Sequence, residues 1–252
     1  MRPTGSPRLI RSRARGGTFL SGRPTLLLAL FAAACGGEIS GAERGEEVFE
    51  SSDLSPSDLN VFSCSTCHGA DQGPGPTDGL PGYRLFGVAA RTRFWGDDYR
   101  VLRDAVDACL VFFMKGETLA GEDDDFHALY EYLVSISPDQ AAGDPYPFTV
   151  VENVADLPRG DADHGGEVFQ RACRGCHGEA FSADGSILRE QVNLPGVTET
   201  YGEDFPGIEP SLVVIEKVRH GRFFDIGGDM PLFSEEALSD DDLGALLAYL
   251  EL

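Results

Sequence analysis

Basic side chains are scarce in this chain of 252 residues, where 20 lysines and arginines stand against 42 aspartates and glutamates, a formal charge of −22. So acidic a balance opposes binding to nucleic acid or to an anionic membrane surface, and favours solubility and attraction to a basic partner. Long apolar runs are missing as well. The stretch at residues 26–34 (LLLALFAAA) falls well short of the roughly 20 residues that cross a bilayer. No glycine-rich phosphate loop, serine–histidine nucleophile arrangement or paired-carboxylate motif stands out, which removes the usual signatures of nucleotide-dependent and hydrolytic chemistry. Methionine is nearly absent: beyond Met1 there are only Met114 and Met230.

Acid is also missing from the start of the chain. None of the 42 acidic residues precedes position 35, whereas six of the 20 basic ones do, so the part from Cys35 onward carries 14 bases against 42 acids, or −28. A basic region, a short apolar run and small residues read as an export signal over residues 1–34. Small residues leading into Cys35-Gly36-Gly37 resemble the lipobox of bacterial lipoproteins, although Ala32 occupies the position where leucine is commoner. That resemblance implies a diacylated Cys35 as membrane anchor, with ordinary cleavage nearby as the alternative. Several acyl chains on one residue hold a protein on a membrane without a spanning helix. The expected location is therefore periplasmic.

Six cysteines are present, and four fall in a pentapeptide that occurs twice, Cys64-Ser65-Thr66-Cys67-His68 and Cys173-Arg174-Gly175-Cys176-His177. Cys-x-x-Cys-His reads as covalent attachment of c-type haem. Two thiols three positions apart share one side of a helical turn, where both reach one edge of a porphyrin, and the adjacent histidine reaches the iron. A four-thiolate zinc site is the alternative. Zinc needs no histidine after each pair, and its paired motifs usually lie much closer together than these. Two covalent haems are thus expected, held by Cys64, Cys67, Cys173 and Cys176, with His68 and His177 as axial iron ligands.

An internal repeat divides the chain. Ala42-Glu43-Arg44-Gly45-Glu46-Glu47-Val48-Phe49 matches Ala162-Asp163-His164-Gly165-Gly166-Glu167-Val168-Phe169, and each copy precedes its pentapeptide. Each half also ends in a helical apolar pattern, over residues 126–136 and 243–252. The repeat predicts an export segment at 1–34, a first domain at 35–140, a proline-broken linker at 141–158 with a β-prone run at 148–151, and a second domain at 159–252. The first copy carries an insertion of about 11 residues near positions 50–60, since Phe49 stands 15 residues before Cys64 and Phe169 only 4 before Cys173.

The order helix, attachment motif, loop and terminal helix resembles the class I cytochrome c fold over nearly all of the chain after the export segment. The resemblance implies an all-α protein of two tandem cytochrome c-like domains, each wrapped around one covalent haem. In that family a glycine of the first helix lets the last helix approach, beside an aromatic contact. Here Gly45 and Phe49 would face Tyr132 or Tyr130, and Gly165 or Gly166 with Phe169 would face Tyr249.

A second axial ligand separates an electron carrier from a catalyst. In the second domain, residues 221–231 (GRFFDIGGDMP) resemble the family's glycine-rich loop ending in Met-Pro, so Met230 is expected to ligate; a thioether favours reduced iron. In the first domain, residues 97–119 read as an amphipathic helix ending near Phe113, followed by Met114, the expected ligand. Cys109 is the rival, in a stretch resembling diheme thiosulfate dehydrogenases and the sulfur-oxidation diheme subunit, where a thiolate ligates the catalytic haem. His127, Lys115 or no ligand stay open. His127, His164 and His220 are expected at the surface. Arg219 and Arg222 are expected to pair with haem propionates or to form a solvated face. Phe94 and Trp95 are expected to pack against the first haem or in the core.

These readings lead to an exported diheme cytochrome that passes single electrons between redox proteins, including one with a basic docking face, and binds no nucleic acid. The alternative is a diheme oxidoreductase, thiosulfate dehydrogenase-like or peroxidase-like, with a catalytic first haem.

Overall fold

Serine and aspartate set the helix starts, because a short side-chain oxygen can accept an otherwise unpaired amide of the first turn. In the computed structural model, α1 (Gly41–Glu50) opens on a capping box in which the Ser40 hydroxyl accepts from Glu43 N at 3.2 Å and the Glu43 carboxylate accepts from Ser40 N at 2.8 Å. Asp123 caps α4 (Asp124–Ser135), Asp161 caps α5 (Ala162–Ala172) and Ser239 caps α9 (Asp240–Tyr249). Between them lie α2 (Cys64–Cys67), α3 (Leu102–Phe112), α6 (Arg174–His177), α7 (Tyr201–Asp204) and α8 (Pro210–His220). The structure describes residues 39–252 except 74, 78, 120–122, 139–146, 189–191 and 222–229, and only the backbone of 199–202. The export segment, Cys35 and Arg222 lie outside the described residues.

The fold is all-α. Among the described residues there is no strand, only the isolated bridges Pro76–Tyr83 and Phe94–Tyr99. Residues 148–151, expected to be β-prone, form no strand. No described helix is long and apolar enough to cross a membrane.

The same crossing is built twice. A Cβ on Gly45 would stand 1.9 Å from the Ala128 carbonyl oxygen and 2.7 Å from Tyr132 Cβ, and one on Gly165 would stand 2.0 Å from the Ala245 oxygen and 2.8 Å from Tyr249 Cβ. Only glycine therefore lets α1 meet α4, and α5 meet α9, backbone to backbone. The aromatic contact follows in each pair, Phe49 on Tyr132 with ring centroids 5.4 Å apart and Phe169 on Tyr249 at 5.7 Å. Of the alternatives in the sequence, Tyr132 rather than exposed Tyr130, and Gly165 rather than Gly166, make the crossing. Burying Phe49 and Phe169, 2% and 0% exposed, stabilises each pair by about 1.5–3 kcal/mol.

Two apolar clusters result. One joins Phe49, Phe62, Leu110, Met114, Leu129, Tyr132 and Leu133; the other joins Val168, Phe169, Cys173, Ile215, Phe233, Leu243 and Leu247. They touch, since Cys176 and Leu188 of the second half pack against the first cluster. Residues 39–252 accordingly form one unit.

Three sequence expectations change. The helix foreseen from residue 97 begins only at Leu102, because Trp95, Gly96 and Asp97 take positive φ (52°, 63° and 98°), a conformation that breaks a right-handed helix. Trp95 is 39% exposed and stacks on Phe113 at 6.0 Å, while Phe94 alone joins the core. Arg219 is 1% exposed. Its guanidinium donates to the carbonyls of Leu238 (2.7 Å), Phe233 and Ser234 (3.3 Å each) and pairs with Asp240 at 2.6 Å, so it fastens α8 to the segment before α9 instead of facing solvent.

Candidate haem sites

Both pentapeptides fold as one helical turn. The amide of His68 donates to the Cys64 carbonyl and that of His177 to the Cys173 carbonyl, each at 2.9 Å. This turn sets the two cysteines on one side and delivers the histidine immediately after. In α2, Ser63 at the N-cap and Thr66 exchange backbone and side-chain contacts that hold the turn. None of the five described cysteines is in a disulfide.

The histidines are prepared as neutral ligands. Burial lowers the pKa of His68 and His177, which keeps an imidazole lone pair available. His68 Nδ1 lies 2.7 Å from the Tyr83 carbonyl. A carbonyl only accepts, so Nδ1 carries the proton and Nε2 is the free lone pair, the tautomer a metal needs. Gly82 makes the approach possible: a Cβ there would be 2.5 Å from the imidazole. His177 differs, for its Nδ1 is buried without a well-formed hydrogen bond and has only the Val192 backbone within reach.

The thiols are held protonated by burial. Desolvation raises Cys64 to about 11 and Cys67 and Cys173 to about 12, and raises Cys176. Cys67 also senses Cys176 and Cys64, so Cys67 of the first half and Cys176 of the second lie within electrostatic reach of one another.

Met114 is 4% exposed within the first cluster, against which Cys64 packs. Its position comes from a helix end. Gly116 N donates to Leu110 O at 2.9 Å across Lys115, whose φ of 56° is left-handed and stops the helix. The insertion adds a brace: a 3₁₀ turn at Ser52–Leu54 leads to Ser55, whose hydroxyl donates to the Met114 carbonyl at 2.6 Å. Cys109 is also near the attachment turn. Desolvation first, then Cys64 and Cys67, push its thiol up. His127 is exposed on α4. In the second half, Met230 packs against the cluster containing Cys173, and its carbonyl would lie 2.4 Å from a Cβ on Gly221.

His164 is part-exposed and bonds Asp242 at 2.8 Å, linking α5 to α9. His220, expected at the surface, is 2% exposed between the Glu216 carboxylate (2.7 Å) and the Val151 carbonyl. Tyr83, which positions His68, escaped the sequence reading. A signal existed: Leu80-Pro81-Gly82 recurs as Leu194-Pro195-Gly196 after the second pentapeptide.

A part-buried neutral imidazole, a paired-thiol turn and a nearby thioether in each half, with the tautomer fixed at His68, fit a thioether-linked haem. The comparisons agree with that chemistry. Residues 160–250 match the family described as cytochrome c oxidase, cbb3-type, subunit III. With the all-helical fold, this supports a c-type cytochrome domain, haem binding and a haem-based redox role. No curated protein matches the chain. Among solved structures, the thiosulfate dehydrogenase TsdBA from Marichromatium purpuratum in its as-isolated form aligns with a TM-score of 0.41 and 14% identity, over 83% of this chain and 45% of that one. The chain thus spans less than half the length of that structure's chain, and a likeness of this size bears on neither activity nor substrate.

Proposed function

We propose that this is an exported diheme c-type cytochrome, lipid-anchored through Cys35 at a periplasmic membrane face, that relays single electrons between redox proteins. Haem, when bound, supplies the one-electron chemistry. Cys64 and Cys67 would hold one group and Cys173 and Cys176 the other, with His68 and Met114, and His177 and Met230, as axial ligands. The observation that carries the reading is duplicated: each half brings one attachment turn and one methionine to a single apolar cluster. Contact between the halves, with Cys176 and Leu188 packed against the first cluster, supports exchange within the chain. Burial favours the neutral form of both imidazoles. The acidic surface suits a partner with a basic docking face.

One observation favours a second reading, a catalytic first haem with thiolate ligation, as in a thiosulfate-oxidising enzyme: Cys109 lies within electrostatic reach of Cys64 and Cys67. Desolvation of its thiol weighs against it. The test is carbon monoxide binding to the reduced holoprotein together with near-infrared spectra of Met114→Ala and Cys109→Ala. The carrier reading requires no carbon monoxide adduct and loss of a methionine–iron band only in Met114→Ala. Ready binding, or a spectrum moved only by Cys109→Ala, contradicts the carrier reading.

A further inference from the structure

Tyr83 spans the contact between the halves. Its carbonyl holds His68 Nδ1 at 2.7 Å, its ring lies on Phe148 of the linker with centroids 5.6 Å apart, and its hydroxyl is buried beside Ser234 and Glu236. The far end is a fixed frame. Ser234 is fully buried, its carbonyl accepts from Arg219, and Phe233 N donates to Val218 O at 2.8 Å. Glu236 accepts from Thr149 N at 2.9 Å and from the Thr149 hydroxyl at 2.6 Å, which ties the linker to the same segment. That segment follows Met230 by four residues. The near end is equally tight, because Gly82 presses the backbone against the imidazole with no room for a Cβ.

We infer that Tyr83 is a positioning residue that couples the two haem sites, transmitting the placement of the Met230–Glu236 segment to the hydrogen bond on His68; this rests on the diheme reading above. A stronger bond from Nδ1–H to an acceptor makes imidazole a better donor to a metal. Displacing the tyrosine therefore changes the first site's ligand without touching its atoms. His177 Nδ1 has the Val192 backbone within reach instead, so the Tyr83 contact acts on the first site. Linkage makes the coupling reciprocal: whatever the second site's state does to the first, the first does in equal measure to the second.

The experiment compares holoprotein of wild type, Tyr83→Phe, Ser234→Ala and the double variant by spectroelectrochemical titration, assigning midpoints with Met230→His, which displaces the second. Tyr83→Phe and Ser234→Ala are each expected to shift the first-half midpoint in the same direction, and the double variant to shift it no further than Tyr83→Phe alone. The resonance Raman iron–histidine stretch of the first half should move with it. Haem content of two per chain in each variant excludes a mere loss of fold. An unmoved first-half midpoint in fully loaded Tyr83→Phe, or additive shifts, overturns the coupling alone. If Tyr83→Phe does not mature, Ser234→Ala severs the same contact from the other side and decides by the same midpoint. Wild type lacking haem at Cys64 and Cys67 overturns the coupling and the diheme reading together.

Discussion

Replacing Gly45 or Gly165 with alanine tests the duplicated helix crossing on which both sites are built. The new methyl would sit 1.9 or 2.0 Å from a backbone oxygen of the facing helix. Ordinary carbon–oxygen contact is above 3 Å. Because the neighbour is main chain, rotamer change cannot relieve the overlap, and the helices must separate by roughly an ångström, loosening Phe49 on Tyr132 or Phe169 on Tyr249. Overpacking of this kind costs about 1–3 kcal/mol or more, against about 1 kcal/mol gained in helix propensity. The net loss then reaches about 2 kcal/mol at the upper end of that range, which corresponds to roughly 4–8 °C in Tm for a domain of this size. Gly166 is the internal control, since a Cβ there meets only the Tyr249 ring at 3.3 Å. Thermal unfolding of the holoprotein, followed by circular dichroism, should rank Gly45→Ala and Gly165→Ala well below wild type. Gly166→Ala should stay within about 1 kcal/mol of it. Equal Tm values for all three would refute the close-crossing argument.

Arg219→Leu removes the donor of three buried carbonyls and the partner of Asp240, and should cost on the order of 3 kcal/mol in urea unfolding; a loss under about 0.5 kcal/mol would mean that the carbonyls find other partners. Ser55→Ala frees the Met114 carbonyl, so the first half's methionine–iron band should weaken or broaden while the second half's persists. For Asp242, desolvation works to raise the carboxyl, but bonds from His164 and Ser239 and the Arg171 charge outweigh it and leave the pKa lowered. A carboxyl depressed in the folded state adds stability above its unfolded pKa and loses it as pH falls through the folded one. Asp242→Asn should therefore lower Tm at neutral pH and flatten the acid side of the Tm–pH curve, and an unchanged acid limb would contradict the assignment.

Local and repeated features were legible in the sequence. The attachment turns follow from three-residue spacing and the terminal helices from apolar periodicity, while the crossing glycines come from the family resemblance, which leaves Gly165 or Gly166 open; the structure places Gly165 at the crossing. What escaped depends on partners distant in sequence. Arg219 and His220 read as a solvated basic stretch, yet the carbonyls of Phe233, Ser234 and Leu238 and the Val151 carbonyl enclose them. Nothing local marks a side chain that will be satisfied from another segment. The insertion was visible as an offset, but not its contact with Met114 through Ser55. Trp95 was expected against the first haem or in the core; it is 39% exposed and stacks on Phe113, within a run of three positive φ angles. Tyr83 positions His68 through its backbone, a role that side-chain identity does not reveal.

Mass spectrometry of protein matured in a competent periplasm, digested and mapped peptide by peptide, addresses the central claim most directly. The account predicts one haem on the Cys64–Cys67 peptide, one on the Cys173–Cys176 peptide, and an unmodified Cys109. Unmodified thiols at either pentapeptide, or zinc in place of iron, would contradict it.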